Sequence, residues 1–167
     1  MGNQLRLLLL LSVTILSISS QAQKKEDEAA IKLTINRLFM GMEKGDSTMV
    51  HSAFANHVTM ATIGMDQSSQ SKIIFESSIA DFLKAVGTPH TEVWYEEIWD
   101  VMIRVDGNFA QAWCDYAFYI GNKFSHCGVD AFHFYKDQGG WKIFHLADTR
   151  RKDNCIIPTE IQIKHKK

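Results

Sequence analysis

Two polar residues late in the chain, Asp130 and His145, have side chains able to move a proton. Their relation depends on one hairpin. A four-residue loop over 137–140 sets Lys136 opposite Trp141, Phe134 opposite Ile143 and Phe132 opposite His145. Asp130 then falls opposite Ala147, on the same face as His145 and diagonal to it. That face carries Phe132, Phe134 and Ile143, which makes it the core side. A carboxylate sunk among such residues must be paired or must raise its pKa. Beside an imidazole it becomes a general base or a ligand anchor. A slip of one residue instead pairs Tyr135 with Trp141 and His133 with Ile143, and the relation is lost.

Other residues compete for the same role. Asp115 shares a strand face with Trp113, Ala117 and Tyr119, against Ala112, Cys114, Tyr116, Phe118 and Ile120 on the other. Both faces are apolar, so the sequence leaves open which is inside. Glu97 interrupts an apolar parity that runs through Val93, Tyr95, Trp99, Val101, Ile103 and Val105. Each of these acids is equally a hydrogen-bonded core residue. Tyr95, Trp99, Trp113 and Tyr119 could stack on a flat ligand, or simply form aromatic core at period two, and Phe132 on the core face is a further ligand-binding candidate. Asp148, Arg150 and Arg151 read either as a local salt bridge or as an anion-recognition point.

No metal or cofactor is expected. His126, Cys127, His133, His145 and Cys155 lie late in the chain, but none has the C-x2-C or H-x3-H spacing of a zinc site. No G-x-S-x-G elbow, phosphate-binding loop or dinucleotide fingerprint occurs, which removes the usual support for serine hydrolase, kinase and dehydrogenase readings.

These residues must be held by a recognisable set of elements. From Glu26 to Lys44, Ile31, Ile35, Leu38, Phe39 and Met42 recur at helical spacing. Gly45 ends that helix, and Asp46 or Ser47 caps a short second one with Met49, Val50, Ala53 and Phe54 on one face. Val58 to Ile63 reads as a strand, 64–70 as a polar connection, and Ser71 to Val86 as a third helix with Phe75, Ile79, Phe82, Leu83 and Val86 inward. Four strands follow over 92–105, 109–120, 126–135 and 141–147, joined by short turns as a meander. Helices first and strands later give an α+β fold with helices on one face of the sheet and a cavity between them. Residues 152–167 read as a loose tail.

The chain has 167 residues, 46% apolar and 22% charged, with a formal charge of −1. That balance offers no basic footprint for nucleic acid. Arg6 followed by Leu7–Leu11, Val13, Ile15, Leu16 and Ile18, with small residues at Ser20 and Ala22, is the pattern of a secretory leader cut after Ala22. The apolar run is too short to span a bilayer. A secreted or periplasmic protein is therefore expected, free of the membrane after cleavage. Its domain covers 23–151, between the leader over 1–22 and the tail. Export permits disulfides, but Cys114, Cys127 and Cys155 are three, and the pairing cannot be named.

Several strings carry a resemblance: Gly45-Asp46 between the first two helices, the strand Gly128–Phe134, and the closing hairpin Gly140–His145. Over roughly residues 26–150 the chain resembles the nuclear transport factor 2-like superfamily, more narrowly its secreted bacterial SnoaL-like and lumazine-binding branch. The resemblance implies a cone of three N-terminal helices packed on a curved, mostly antiparallel sheet, a small-molecule ligand and a homodimer. It also implies three readings of function. The first is a binding module whose ligand lies between helices and sheet. The second is an isomerase, dehydratase or cyclase in which Asp130, helped by His145, moves a proton and Tyr95 or Tyr119 supplies an oxyanion donor. The third is an interaction module that dimerises through the open sheet face.

Overall fold

Ile31, Ile35, Leu38, Phe39 and Met42 form a buried stripe on the first helix, as their spacing predicts. In the computed structural model, the backbone is described for residues 2–68, 70–75 and 78–166, and side chains from residue 21 onward. Helix α1 spans Gly2–Lys44 and so continues through the expected cleavage point. The leader side chains before residue 21 lie outside the described residues. Among the described residues no helix is long and apolar enough to cross a membrane.

Gly45 turns the chain out of α1 at φ +65°, a left-handed conformation that costs glycine little. The Asp46 carboxylate accepts the Met49 amide at 2.8 Å and caps α2, Ser47–Ala53. The chain passes directly into β1, Phe54–Met65, which begins earlier than the expected strand and takes Phe54 from the helix. Residues expected to open the third helix instead form β2, Ser71–Phe75, paired antiparallel to β1. Asp66 closes the turn by accepting the Ser68 and Gln70 amides at 2.8 and 2.9 Å. Ile73-Ile74-Phe75 is a short run with strong strand preference, which outweighs its helical spacing. Helix α3 is thereby shortened to Ile79–Gly87.

The meander follows as β3 Trp94–Asp106, β4 Phe109–Ile120, β5 Lys123–Asp137 and β6 Gly140–Thr149. The six strands run in the order β2-β1-β6-β5-β4-β3, antiparallel except where β1 lies parallel to β6. The helices cover one face and bury Phe132, Phe134, Trp141 and Ile143 of the sheet beneath them. This is the expected α+β arrangement.

Two bulges correct the expected registers. In β3 the pairing steps from Trp99–Asp115 to Met102–Trp113, with Asp100 at φ 50°. The extra residue inverts the parity. Trp94 and Ile98 face the core before the bulge, and Val101, Ile103 and Val105 after it. The face expected to run from Val93 to Val105 is therefore split. In the last hairpin, Lys136–Trp141 and Phe134–Ile143 pair as expected, but the next pair is His133–His145. Phe132 then faces Leu146, and Asp130 faces Asp148.

The tail is not loose. Cys127 and Cys155 form a disulfide, leaving Cys114 free and buried. Helix α4, Thr159–Lys164, lies beyond it. Ile157 and Ile161 pack on the outer sheet face against Ala117, Tyr119 and Cys127, with Tyr95 and Trp99 alongside. Lys164 and His165 both bind the Glu97 carboxylate. The ring of His165 stacks on Tyr119 with centroids 3.9 Å apart. Nothing periodic marks residues 152–158, so only these long-range contacts reveal the docking.

The start of the domain is tied to the closing hairpin by Asp27, which is buried and accepts Lys136 Nζ at 2.7 Å and Trp141 Nε1 at 3.1 Å. Asp27→Ala leaves the buried indole N–H without its acceptor. A loss of about 2 kcal/mol is expected in urea unfolding, and an unchanged midpoint would refute the anchoring role.

Candidate functional site

Between α1, α3 and the inner sheet face lies a cavity of about 370 Å³. Leu38, Phe39 and Met42 of α1, Phe82 of α3, and Trp94, Phe118 and Leu146 of the sheet make it apolar. A polar cluster faces into it from five adjacent strands: Thr62 on β1, Asp148 on β6, Asp130 on β5, Tyr116 on β4 and Glu96 on β3. Thr62, Asp148, Asp130 and Cys114 are successive cross-strand partners and form one row. Arg150 and His126 complete the polar lining.

The cluster divides into two parts. In the first, Asp148 is fully engaged. Its Oδ1 accepts the Thr62 hydroxyl at 2.6 Å, and its Oδ2 accepts Arg150 Nε at 2.7 Å. The Tyr116 hydroxyl lies 3.2 Å from the same Oδ2 and 2.9 Å from the Thr149 carbonyl, so its one proton is also committed. Gly128 makes this possible. A Cβ there would stand 1.7 Å from the Thr149 carbonyl oxygen, so only glycine lets that carbonyl approach.

The second part is a carboxyl pair. Glu96 and Asp130 are close enough that each carboxyl perturbs the other. Burial, and then the charge of Asp148, pushes Glu96 up to about 8. Burial, and then the charges of Glu96 and Asp148, raises Asp130 well above the usual carboxylate range. Two buried carboxyls in contact cannot both ionise, so the pair holds a proton near neutral pH. Asp130 is 3% exposed, and its Oδ2 has no hydrogen-bond partner among the described residues. Burial, and next the nearby Arg150 charge, lowers His126 and keeps it a neutral imidazole.

Of the residues singled out from sequence as catalytic or ligand-binding candidates, Asp130 lines this cavity, together with Asp148 and Arg150 of the expected anion point and His126. Phe132 is fully buried in the core beside it. His145 is turned to the opposite face by the β6 bulge, against His133, with Nδ1 2.7 Å from the Thr59 hydroxyl. The expected Asp130–His145 pair therefore does not form. Tyr95, Glu97, Trp99 and Tyr119 lie on the outer face with the docked tail. Asp115 pairs with Trp99, and Trp113 with Met102, on that same face, where Trp113 is exposed. The Asp148–Arg150 salt bridge is present as read.

Glu96 and Tyr116 escaped the sequence reading. The alternation Trp94, Glu96, Ile98 was available as a signal, since adjacent acids in a strand must point to opposite faces. Among the described residues no three His, Cys, Asp or Glu side chains group as metal ligands.

A family model described as "Putative lumazine-binding" matches residues 26–145. Among solved structures, an NTF2-like protein with a cystatin-like fold from Novosphingobium aromaticivorans aligns with a TM-score of 0.65 at 13% identity, over 90% of this chain and 95% of that one. A protein of unknown function from Mycobacterium tuberculosis aligns with a TM-score of 0.64 at 11% identity, over 86% and 88%. An NTF2-like protein of unknown function from Shewanella baltica aligns with a TM-score of 0.58 at 21% identity, over 77% and 96%. No curated protein is significantly similar to the chain.

Proposed function

Because the chain belongs to the "Putative lumazine-binding" family, with an α+β NTF2-like fold, we propose that it binds a small organic molecule in the cavity between helices and sheet. The observation that carries this is the Glu96–Asp130 pair, two neighbouring carboxyls that line an otherwise largely apolar cavity. Ionisable groups gathered in an apolar space are costly in a purely structural core and cluster at functional sites. The volume of about 370 Å³ lies within the range of small-ligand sites. The protein acts outside the cytoplasm, a reading supported by the leader pattern and by the Cys127–Cys155 disulfide.

Lumazine itself is the probe for a test by isothermal titration. Saturable binding to residues 23–167 is expected, weakened about tenfold or more in Asp130→Ala. Equal affinity in wild type and variant would remove Asp130 from the binding site.

A second reading is favoured by the shared proton. A pair that both donates and accepts near neutral pH can transfer a proton at a carbon next to a carbonyl. Glu96 then takes the partner role that the sequence reading assigned to His145. Exchange of deuterium into a cyclic ketone in the cavity, absent in Asp130→Ala, would support this over simple binding.

A further inference from the structure

We propose that the paired imidazoles of His133 and His145, on the outer face of the sheet, hold a zinc ion. This site is separate from the cavity and does not depend on the binding reading above.

The bulge that takes His145 away from Asp130 sets it directly across from His133, on the neighbouring strand. The two ring centroids are 5.4 Å apart. Zinc binds imidazole nitrogen at about 2.05 Å, and the ring centre lies roughly 1.15 Å behind that nitrogen, so two imidazoles on a tetrahedral ion stand about 5.2 Å apart. Two that meet a metal at a right angle stand only about 4.5 Å apart. The observed spacing fits the tetrahedral case. The donor set agrees, since imidazole without carboxylate suits zinc and not calcium or magnesium.

Both rings are held by their neighbours. Strand β1 lies on the other side of β6 and brings Thr59 opposite His145, with the hydroxyl 2.7 Å from Nδ1. With Nδ1 donating to that oxygen, the lone pair of His145 lies on Nε2. This is how a supporting oxygen orients a metal-ligating histidine. His133 packs against the rings of Phe109 and Phe144, at 5.6 and 6.0 Å. Both histidines are half-buried, so an ion and the waters that complete its shell can reach them from solvent.

Zinc chloride titrated calorimetrically into the protein tests this. One ion per chain is expected. His133→Ala and His145→Ala should each weaken binding about a hundredfold or more, and Thr59→Val about tenfold, while His51→Ala on α2 leaves it unchanged. Zinc should also raise the melting temperature of the wild type and leave that of His145→Ala where it was, because the ion ties β5 to β6 only in the folded state. No saturable binding to the wild type would overturn the site, and so would wild-type affinity in either histidine variant. The two variants are independent, so one decides if the other fails to fold.

Discussion

Glu96→Gln is expected to raise the melting temperature, by little near pH 5 and by about 5 °C or more near pH 8.5. The carboxyl of Glu96 has an ordinary value of 4.5 and about 8 when folded. The native state therefore holds this proton more tightly than the unfolded chain. Between those values unfolding releases protons, so stability falls as the pH climbs, at up to about 1.4 kcal/mol per unit. Below the lower value the contribution is whole; above the upper it is gone. Glutamine has nearly the shape of the protonated acid and cannot ionise, so the variant escapes the loss. Calorimetric scans of both proteins across that range test this. A difference that does not grow with pH would show that Glu96 is not held protonated. The same change removes a titrating member of the pair, so a gain in stability at the expense of ligand chemistry is expected.

Breaking the Cys127–Cys155 disulfide, by Cys155→Ser or by a dithiol reductant, should cost about 3.5 kcal/mol and free the tail. The bridge spans a sequence separation of 28, and chain-entropy arguments give that magnitude for such a loop. The other anchors are modest. Helix α4 has six residues, and His165 Nδ1 is buried without a partner among the described residues. The ion pair of Lys164 with Glu97 is largely exposed on the lysine side. Arg151 and Cys127 exchange backbone hydrogen bonds at 2.9 and 3.0 Å, so loosening reaches the residue beside Arg150. Urea unfolding with and without reductant measures the cost. Tryptic cleavage after Arg151 or Lys164 reports release of the tail. An unchanged midpoint together with unchanged cleavage would assign the docking to the Glu97 contacts instead.

What the sequence made legible follows from period and length. The α1 stripe and the four strands of the meander are long enough for their periodicity to survive, and they appear where expected. The α+β class follows from their order. The site was less legible because single inserted residues control it. One extra residue near Asp100 makes the parity of Glu96 differ from that of Val101. One at Phe144 sends His145 outward and brings Asp148 opposite Asp130. Alternation alone cannot locate a bulge, and each bulge inverts everything beyond it. The Lys72–Phe75 run was too short to distinguish strand from helix, and the tail had no periodicity at all.

The parallel pairing of β1 with β6 bears on the order of assembly. Thr59 and His145 touch across 86 positions, so the strand laid down first in the sheet meets its central neighbour only when the last one has been made. Closure of so long a loop places this step late in folding. A chain halted before Gly140 would leave β1 and β5 as two unpaired edges on either side of a missing strand, with the apolar inner face open between them. In that condition one copy can supply the absent strand to another, and self-association begins.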